Sequence, residues 1–449
     1  LKIFRELSSK KGVRFTFLTY GDESDLSFNL EEENIYVIPM FEKVKNNISI
    51  HYFEYSTCLL TASFFLGHAA LSVSYIIFLL ASFKSVLKNF TFKEFLSNKA
   101  FILPCIFFIF NLLIVIILGD SIKDVLKTEK ILCLLIFPII FFSTKEYFQK
   151  SKTLFFNIRK TFVLTAFFTF SISFAYGLYR VFYAENALNS IYITYNHLAE
   201  LFGVQPLYLA LFYLMAVIFS IDISRRTSRQ RNGYFIISGV LVCGIVLLSS
   251  RTVLLLSLVV LLMKVFKIKS KINNKNVFLV FLLLLISCLI LTFSIPTLKN
   301  RVLKLNENIS SYSGLSFRTK IWKNSIFVFQ ESSLFGHGLY LSQDKLMKQY
   351  LKTNFRRGYI YNLNTHNQYL QTLLDTGLIG LILLIFMLVF PVRDIRNTPI
   401  IELLFTVIIL VSFIPESFFL RQYGVLFYSF FSCIFQVSRK ELALKIERS

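Results

Sequence analysis

The stretch Tyr361–Ile382, YNLNTHNQYLQTLLDTGLIGLI, opens with polar residues and continues into an apolar run that predicts a membrane-spanning helix. Its segment Thr365-His366-Asn367-Gln368 places hydrogen-bonding side chains where the chain enters that run. Polar groups at a membrane boundary are costly to desolvate and often mark a functional site. A helix cap is the alternative interpretation, because Asn364 or Thr365 could satisfy the first free N–H groups of the helix.

The composition extends this prediction to an all-α polytopic membrane protein. Of the 449 residues, 55% are hydrophobic, and they include 52 Phe and 22 Tyr. Apolar runs of about 15 to 20 residues recur along the chain, and helices satisfy the backbone of such runs in lipid. The net charge of +22 is divided among short loops between these runs, as the positive-inside rule expects, so we predict no nucleic-acid partner.

Alternating loop charge gives a topology. The predicted spans are 101–118, 130–143, 161–181, 206–222, 234–250, 252–266, 277–295, 367–390, 400–414 and 422–437. The stretch 48–83 is either one span or a hairpin of two, and the hairpin is favoured, for about 12 spans rather than 11. The basic segments expected in the cytoplasm are Lys84–Lys99, Lys145–Lys160, Arg225–Arg231, Lys264–Lys275, Arg393–Arg396 and the tail 438–449. The segments 119–129, 182–205, 249–252, 296–366 and 415–421 then lie outside.

The N-terminal residues 1–47 differ from the apolar remainder, 48–437. They predict an amphipathic helix followed by strands at Val13–Thr19 and Asn34–Met40. This segment resembles the first αβ unit of the N-terminal domain of a GT-B glycosyltransferase. It is too short to bury a core or hold a nucleotide sugar, so we expect it to be cytoplasmic and non-catalytic. Because the chain begins at Leu1, we expect the natural protein to start further upstream.

The predicted outer loop 296–366 carries eleven basic residues against three acidic ones, a net charge of +8 on the side where the positive-inside rule expects less. Binding to anionic lipid head groups is one explanation. A phosphate-bearing substrate is the other, because guanidinium groups match phosphate oxygens, and Arg356 and Arg357 are candidates for such contacts.

More polar residues fall on the same predicted face. Arg251, in Ser249–Thr252 between two apolar runs, either snorkels to the interface or binds substrate. Glu416 lies at the outer end of the penultimate span, and His337 sits in a turn where a surface histidine is usually incidental. Arg318 begins a predicted interfacial helix, whose residues Trp322, Ile326 and Phe329 are expected to face lipid.

Four segments together resemble the O-antigen ligase/polymerase family of bacterial membrane glycosyltransferases over about residues 48–437. They are LLSSRTVLLL (247–256), FRTKIWKNSIFVFQESSLFGHGLY (317–340), NTHNQYLQTLLDTGLIG (364–380) and PESFFLRQYGVLFYSFF (415–431). The resemblance implies a GT-C-like enzyme of the inner membrane that acts on an undecaprenyl-diphosphate-linked glycan at the periplasmic side. By motif position it makes His366 the loop-end histidine, and Arg251 and Arg318 the arginines that bind substrate phosphate.

One motif departs from the family pattern. The subgroup often carries His-Pro-x-Tyr at the start of an earlier span, where this chain has Gln205-Pro206-Leu207-Tyr208. Glutamine cannot accept a proton near neutral pH, which puts proton transfer at that position in doubt. His197 is not an obvious replacement.

The residue types suit glycosyl transfer. Fixed arginines stabilise the charge that develops on a departing diphosphate, and histidine suits alignment or deprotonation of an acceptor hydroxyl. Asn367 and Glu416 are further candidate substrate ligands. The outer segments show no paired-carboxylate motif and the six cysteines no C-x-x-C spacing, so we expect no metal site, no disulfide and no cofactor.

The sequence therefore predicts transfer or polymerisation of a lipid-linked oligosaccharide in surface polysaccharide biosynthesis. The acceptor is the next glycan repeat, lipid A–core or a protein hydroxyl, and polymerisation is slightly favoured. Membrane lipids are the other expected partners. The alternatives are a protein O-oligosaccharyltransferase and a transporter or flippase of the same lipid-linked glycan, although a transporter predicts internal repeats and charges near the midplane.

Overall fold

The described part of the protein covers most of the predicted membrane domain. The computed structural model describes residues 40–119, 122–151, 153–183, 190–226, 230–267, 315–339 and 341–443. The predicted strand Val13–Thr19 and the predicted span 277–295 lie outside these residues. Of the predicted strand Asn34–Met40, only Met40 is described, and it begins a helix.

The described residues fold into helices joined by turns, and they contain no strand. The helices are α1 Met40–Ser63, α2 His68–Asn89, α3 Phe92–Ser97, α4 Lys99–Leu118, α5 Ile122–Leu126, α6 Cys133–Ser143, α7 Lys145–Lys150, α8 Leu154–Tyr183, α9 Tyr195–Glu200, α10 Pro206–Arg226, α11 Arg231–Leu247, α12 Arg251–Lys267, α13 Leu315–Glu331, α14 Leu341–Lys352, α15 Arg356–Ile360, α16 Gln368–Val389, α17 Ile400–Ser412 and α18 Gln422–Ala443, with 3₁₀ turns at Lys127–Ile131, Ser190–Ile193, Phe390–Val392 and Phe418–Leu420. The chain divides into two compact units, Leu1–Tyr55 and Ser56–Ser449. The first is described only from residue 40, as the beginning of α1.

The helices confirm an all-α membrane protein. Among the described residues, five are long and apolar enough to cross a membrane, namely α2, α4, α8, α10 and α16. The ambiguous stretch 48–83 falls in two helices, α1 and α2, joined by a turn at residues 64–67, and α2 is one of the five; that both helices span the membrane stays a prediction. The count of about twelve spans and the GT-C-like fold remain predictions.

Phenylalanine packing explains how the bundle of the second unit is held together. Helix α10 packs against α8 and α11. In its most apolar stretch 83% of α10 is buried inside the protein, compared with 28% for α2. The Phe64 ring lies 5.4 Å from that of Phe212 on α10 and 5.8 Å from that of Phe427 on α18, and Phe162 of α8 lies 5.2 Å from Phe431. Lipid offers no hydrophobic drive between helices, so close packing of such rings stabilises the bundle.

The polar connections gather at one end of this bundle. The start of α16 is in contact with the connection between α17 and α18. The Gln368 N–H, at the first residue of α16, donates to the Phe413 carbonyl at 2.8 Å. At the opposite end, Arg439 Nε of α18 donates to Glu402 Oε2 in the first turn of α17 at 2.9 Å. The 364–367 and 413–421 connections therefore lie at one end of these helices, and the basic residues Arg393 and Arg439 lie at the other end.

Residues 315–366 form a small helical layer with its own core. Ile321 and Val328 of α13, Leu346 and Tyr350 of α14, and Leu374 of α16 are buried together. Trp322 and Phe329 pack against this cluster, so the prediction that they face lipid was wrong, whereas Ile326 is exposed. Helix α13, which the sequence predicted to lie at the membrane interface, instead packs its apolar face against α14 and the start of α16.

Candidate functional site

The segment that begins α16 is fixed to the 415–417 turn by buried hydrogen bonds. Thr365 is fully buried, and its Oγ1 shares a hydrogen bond with Ser417 Oγ at 2.9 Å. The Asn367 N–H donates to the same Ser417 hydroxyl at 3.2 Å, and Trp322 Nε1 donates to the Thr365 carbonyl at 3.1 Å. His366 lies between these anchors with a φ of 44°, in the left-handed region that non-glycine residues seldom adopt. The surroundings therefore hold this histidine in one place.

The helix cap at this point is Asn367. Its Oδ1 accepts from the Leu370 N–H at 3.0 Å, which satisfies one of the free donors of the first turn. The alternative cap at Asn364 or Thr365 was therefore wrong; Asn364 Oδ1 accepts instead from the His366 N–H at 2.9 Å. The predicted substrate contact of Asn367 remains a prediction, and the structure adds a structural role for this side chain.

Glu416 lies at the centre of the polar group. His366 Nδ1 is 3.8 Å from Glu416 Oε2, and Arg421 Nε is 3.9 Å from Glu416 Oε1. The Glu416 side chain is 12% exposed and that of His366 is 29% exposed, so the carboxylate lies beneath the imidazole. Arg421 was not a predicted site residue. It follows Glu416 by five residues in the same short connection, and that nearness of opposite charges is the signal that could have identified it.

Arg251 and Arg318 reach the same group from other parts of the chain. Arg318, in the first turn of α13, is half-buried, and burial lowers the pKa of its guanidinium. The positive charge of Arg251, at the start of α12, lowers that pKa further, while the negative charge of Glu416 acts to raise it. Tyr195, at the start of α9, is also within electrostatic reach of Arg318. The structure thus brings Arg251, Arg318 and Glu416 into one electrostatic group.

The group has an excess of positive charge that suits an anionic ligand. Arg318 is within electrostatic reach of both Glu416 and Arg251, and Arg421 Nε lies 3.9 Å from Glu416 Oε1. The Glu416 carboxylate lies 3.8 Å from His366 Nδ1, which is an ion-pair distance rather than a hydrogen bond, and its negative charge favours the tautomer that carries hydrogen on Nδ1. Cationic groups and a base beside one another are the requirements for transfer from a phosphate-linked donor.

A turn from the outer layer braces α16 behind this site. Helix α16 is interrupted at Gly377, where φ is 65° and ψ is −162°. The His337 and Gly338 N–H groups donate to the Leu374 and Asp375 carbonyls, each at 2.8 Å, and the Leu378 N–H donates to the Ser333 carbonyl at 2.9 Å. The turn therefore satisfies backbone groups that the interrupted helix leaves open, as a membrane environment requires.

His337 belongs to this brace rather than to the charged group. Its Nε2 donates to the Val328 carbonyl at 2.8 Å, and its backbone N–H holds Leu374. The structure thus gives His337 a structural role, and its lack of a catalytic role stays a prediction.

Arg356 and Arg357 lie on the short helix α15, next to the buried cluster of the outer layer. The next residue, Gly358, packs against the rings of Phe355 and Tyr350. Arg356 is exposed and Arg357 half-buried. The described contacts around Glu416 are made by other residues, so a substrate-binding role for these two arginines remains a prediction.

The chain is similar to known proteins over parts of its length. The family model for the O-antigen ligase matches residues 233–385, a stretch that contains Arg251, Arg318 and His366. An uncharacterized protein of Haemophilus influenzae is 28% identical over 99 residues, which are 21% of this chain and 24% of that protein. The chain thus matches about a quarter of the length of that relative. The family match supports a glycosyl-transfer role in surface polysaccharide biosynthesis. The match to the O-antigen ligase model over residues 233–385 confirms, for that stretch, the resemblance of this membrane protein to the O-antigen ligase/polymerase family.

Proposed function

We propose that this protein transfers an undecaprenyl-diphosphate-linked oligosaccharide onto an acceptor hydroxyl at the periplasmic face of the bacterial inner membrane. The observation that carries the proposal is that Glu416 approaches His366 and lies within electrostatic reach of Arg318, which is itself within reach of Arg251. These residues come from separate helices and connections, so their meeting is a property of the fold and not of one motif. The family match at residues 233–385 supports the same class of reaction.

In the proposed reaction, Arg251 and Arg318 bind the diphosphate of the donor. Guanidinium groups bind phosphate oxygens in a bidentate manner, and their charge stabilises the leaving group as it separates. Arg318 is half-buried, and fixed charges act more strongly where water is excluded. Arg421, whose Nε lies 3.9 Å from Glu416 Oε1, adds positive charge to the same group of residues.

His366 acts on the acceptor. Its Nε2 takes the proton of the acceptor hydroxyl while that oxygen bonds to the anomeric carbon of the donor sugar. The bond between the anomeric carbon and the phosphate oxygen breaks, and its electron pair leaves on undecaprenyl diphosphate. Glu416 is a positioning residue in this scheme, because its carboxylate orients Nδ1 and stabilises the imidazolium that forms.

The periplasmic placement rests on charge. The 364–367 and 413–421 connections lie at one end of α16, α17 and α18, and the basic residues near Arg393 and Arg439 lie at the other. The positive-inside rule assigns the basic end to the cytoplasm. The site end is then periplasmic, where a completed lipid-linked glycan is used.

Among the possible acceptors we favour the next repeat unit, which makes the protein a polymerase. Glycan analysis of a strain of the source organism that lacks this gene tests the choice. Loss of long chains with single repeats still attached supports polymerisation. Loss of attachment to lipid A–core indicates a ligase, loss of glycan from a protein indicates an oligosaccharyltransferase, and unmodified donor retained on the cytoplasmic side indicates a flippase.

A further inference from the structure

A second histidine lies at the same end of the bundle as His366. His68 begins α2, directly after the turn at residues 64–67 that joins α1 and α2. Gly67 in this turn has a φ of 93°, and a Cβ placed on it would lie 2.7 Å from the Phe202 carbonyl oxygen. Only glycine combines that backbone conformation with so close an approach. The turn therefore holds His68 against the connection that precedes α10.

The contacts of His68 determine how its ring is protonated. Its Nδ1 is 3.3 Å from Gln422 Oε1, and the same amide uses Nε2 to donate to Ser72 Oγ at 3.1 Å. An amide oxygen only accepts, so the neutral ring carries its hydrogen on Nδ1 and a lone pair on Nε2. The ring also lies 4.4 Å from that of Tyr423, which fixes its plane. His68 is exposed, and its Nε2 has no hydrogen-bond partner within the described ranges.

One continuous segment connects this histidine to the charged group. Residues 416–423 carry Glu416 at one end, which approaches His366 Nδ1, and Gln422 near the other, which approaches His68 Nδ1. Arg421, adjacent to Gln422, is 3.9 Å from Glu416. Each imidazole thus has its Nδ1 nearest an oxygen of this segment, at hydrogen-bond distance for His68 and at 3.8 Å for His366.

We propose that His68 is a positioning residue that binds the acceptor glycan, with its Nε2 accepting a hydrogen bond from a sugar hydroxyl. The described contacts of His68 are with a neutral amide and an aromatic ring, which suit an uncharged polyol. His366 and His68 approach opposite ends of the 416–423 segment, so an acceptor glycan with its reacting hydroxyl at His366 would extend along this segment to His68. The inference rests on the proposed glycosyl transfer and adds where the acceptor binds.

Three substitutions separate this role from a structural one. His68→Asn keeps a donor near the Nδ1 position for Gln422 but loses the Nε2 acceptor. His68→Gln keeps an acceptor near the Nε2 position, and His68→Ala loses both. His51→Gln, on α1, is the matched control for removing a histidine. Protein yield and thermal unfolding in detergent show whether each variant is folded.

The first readout is binding of glycan released by mild acid from the surface polysaccharide of the source organism, measured by calorimetry on protein in nanodiscs. We expect His68→Asn and His68→Ala to raise the Kd about 3- to 10-fold, the usual effect of one lost neutral hydrogen bond. We expect His68→Gln to raise it less, and His51→Gln to leave it unchanged. The second readout is transfer from the purified lipid-linked donor, where His68→Ala raises the KM for acceptor more than it lowers kcat.

Wild-type affinity in His68→Asn, or the same Kd in all variants, would overturn the proposal, as would absence of glycan binding by the wild-type protein. A fall in kcat without change in the acceptor KM would also contradict it. Failure of the proposed function gives a different pattern, namely glycan binding with no transfer by any variant or by wild type.

Discussion

At the scale of single residues, the two predicted phosphate-binding arginines give the first test. Replacing Arg318 or Arg251 with Ala removes a charge that stabilises the departing diphosphate, and loss of one such group typically costs about 100- to 1,000-fold in rate. Lys at either position should restore little, because it cannot bind two phosphate oxygens in a fork. The measurement is the rate of glycan transfer by purified, folded protein.

Lys345→Ala is the control for the arginine variants. This lysine belongs to the same basic outer layer, and its described ion pair is with Glu331, at 3.9 Å between Nζ and Oε2. We expect it to retain nearly full activity. Equal losses in the Lys345 and Arg318 variants would favour general attraction to anionic lipid, the alternative explanation of the basic loop.

His366 and Glu416 form a second residue-scale test, because we infer that they act as a unit. His366→Gln keeps hydrogen bonding but cannot take a proton, and we expect a fall in kcat of about 100-fold. Glu416→Gln should lower kcat by removing the charge that stabilises the imidazolium. The double variant should be no slower than His366→Gln alone, since groups acting together are not additive. Additive losses would show that Glu416 acts independently of His366.

Arg251 and Glu416 stand out in the sequence as charged residues beside apolar runs, and the family resemblance assigned roles to His366, Arg251 and Arg318. Neither the pattern nor the resemblance predicted Arg421 or His68. Their relation to the site depends on how the 413–421 connection and the turn at residues 64–67 pack, which is a tertiary property. Trp322 was assigned to lipid for the same reason, since amphipathicity shows that a face is apolar but not what covers it.

At the scale of elements, the interruption of α16 gives a test of the brace behind the site. A Cβ on Gly377 would lie 2.2 Å from the Leu334 carbonyl oxygen, and its φ of 65° is strained for other residues. We expect Gly377→Ala to destabilise the protein by about 1–3 kcal/mol or more, seen as a lower thermal unfolding temperature in detergent. Gly239→Ala on α11 is the control, because a Cβ there meets no atom within 4 Å.

An unchanged unfolding temperature for Gly377→Ala would show that the turn does not hold α16 as described.

The helices themselves were largely predictable from the sequence. Apolar runs gave α4, α8, α10, α11, α16, α17 and α18 to within several residues, and the hairpin α1–α2 was favoured over one long span. The interruption of α16 was not predicted, because a single glycine within a helical pattern does not by itself break a helix, and the outer turn that packs at Gly377 is distant in the sequence.

At the scale of the whole molecule, topology is the test on which the assignment of the active face depends. Reporters fused after Arg231, Asn274 or Arg396 should read as cytoplasmic, and reporters after Lys320 or Lys352 as periplasmic. The physical reason is the concentration of basic residues in the short connections opposite the site. A cytoplasmic position for Lys320 and Lys352 would contradict the use of a periplasmic lipid-linked donor.

The most direct test of the central claim is glycosyl transfer by the purified protein in liposomes with undecaprenyl-diphosphate-linked glycan from the source organism. We predict that longer glycans form, that undecaprenyl diphosphate is released, and that both persist in EDTA, because the described residues include no cluster of three or more metal-ligating side chains. Both should be lost in Arg318→Ala. Movement of intact donor across the bilayer without any new glycosidic bond would contradict the account and identify a transporter.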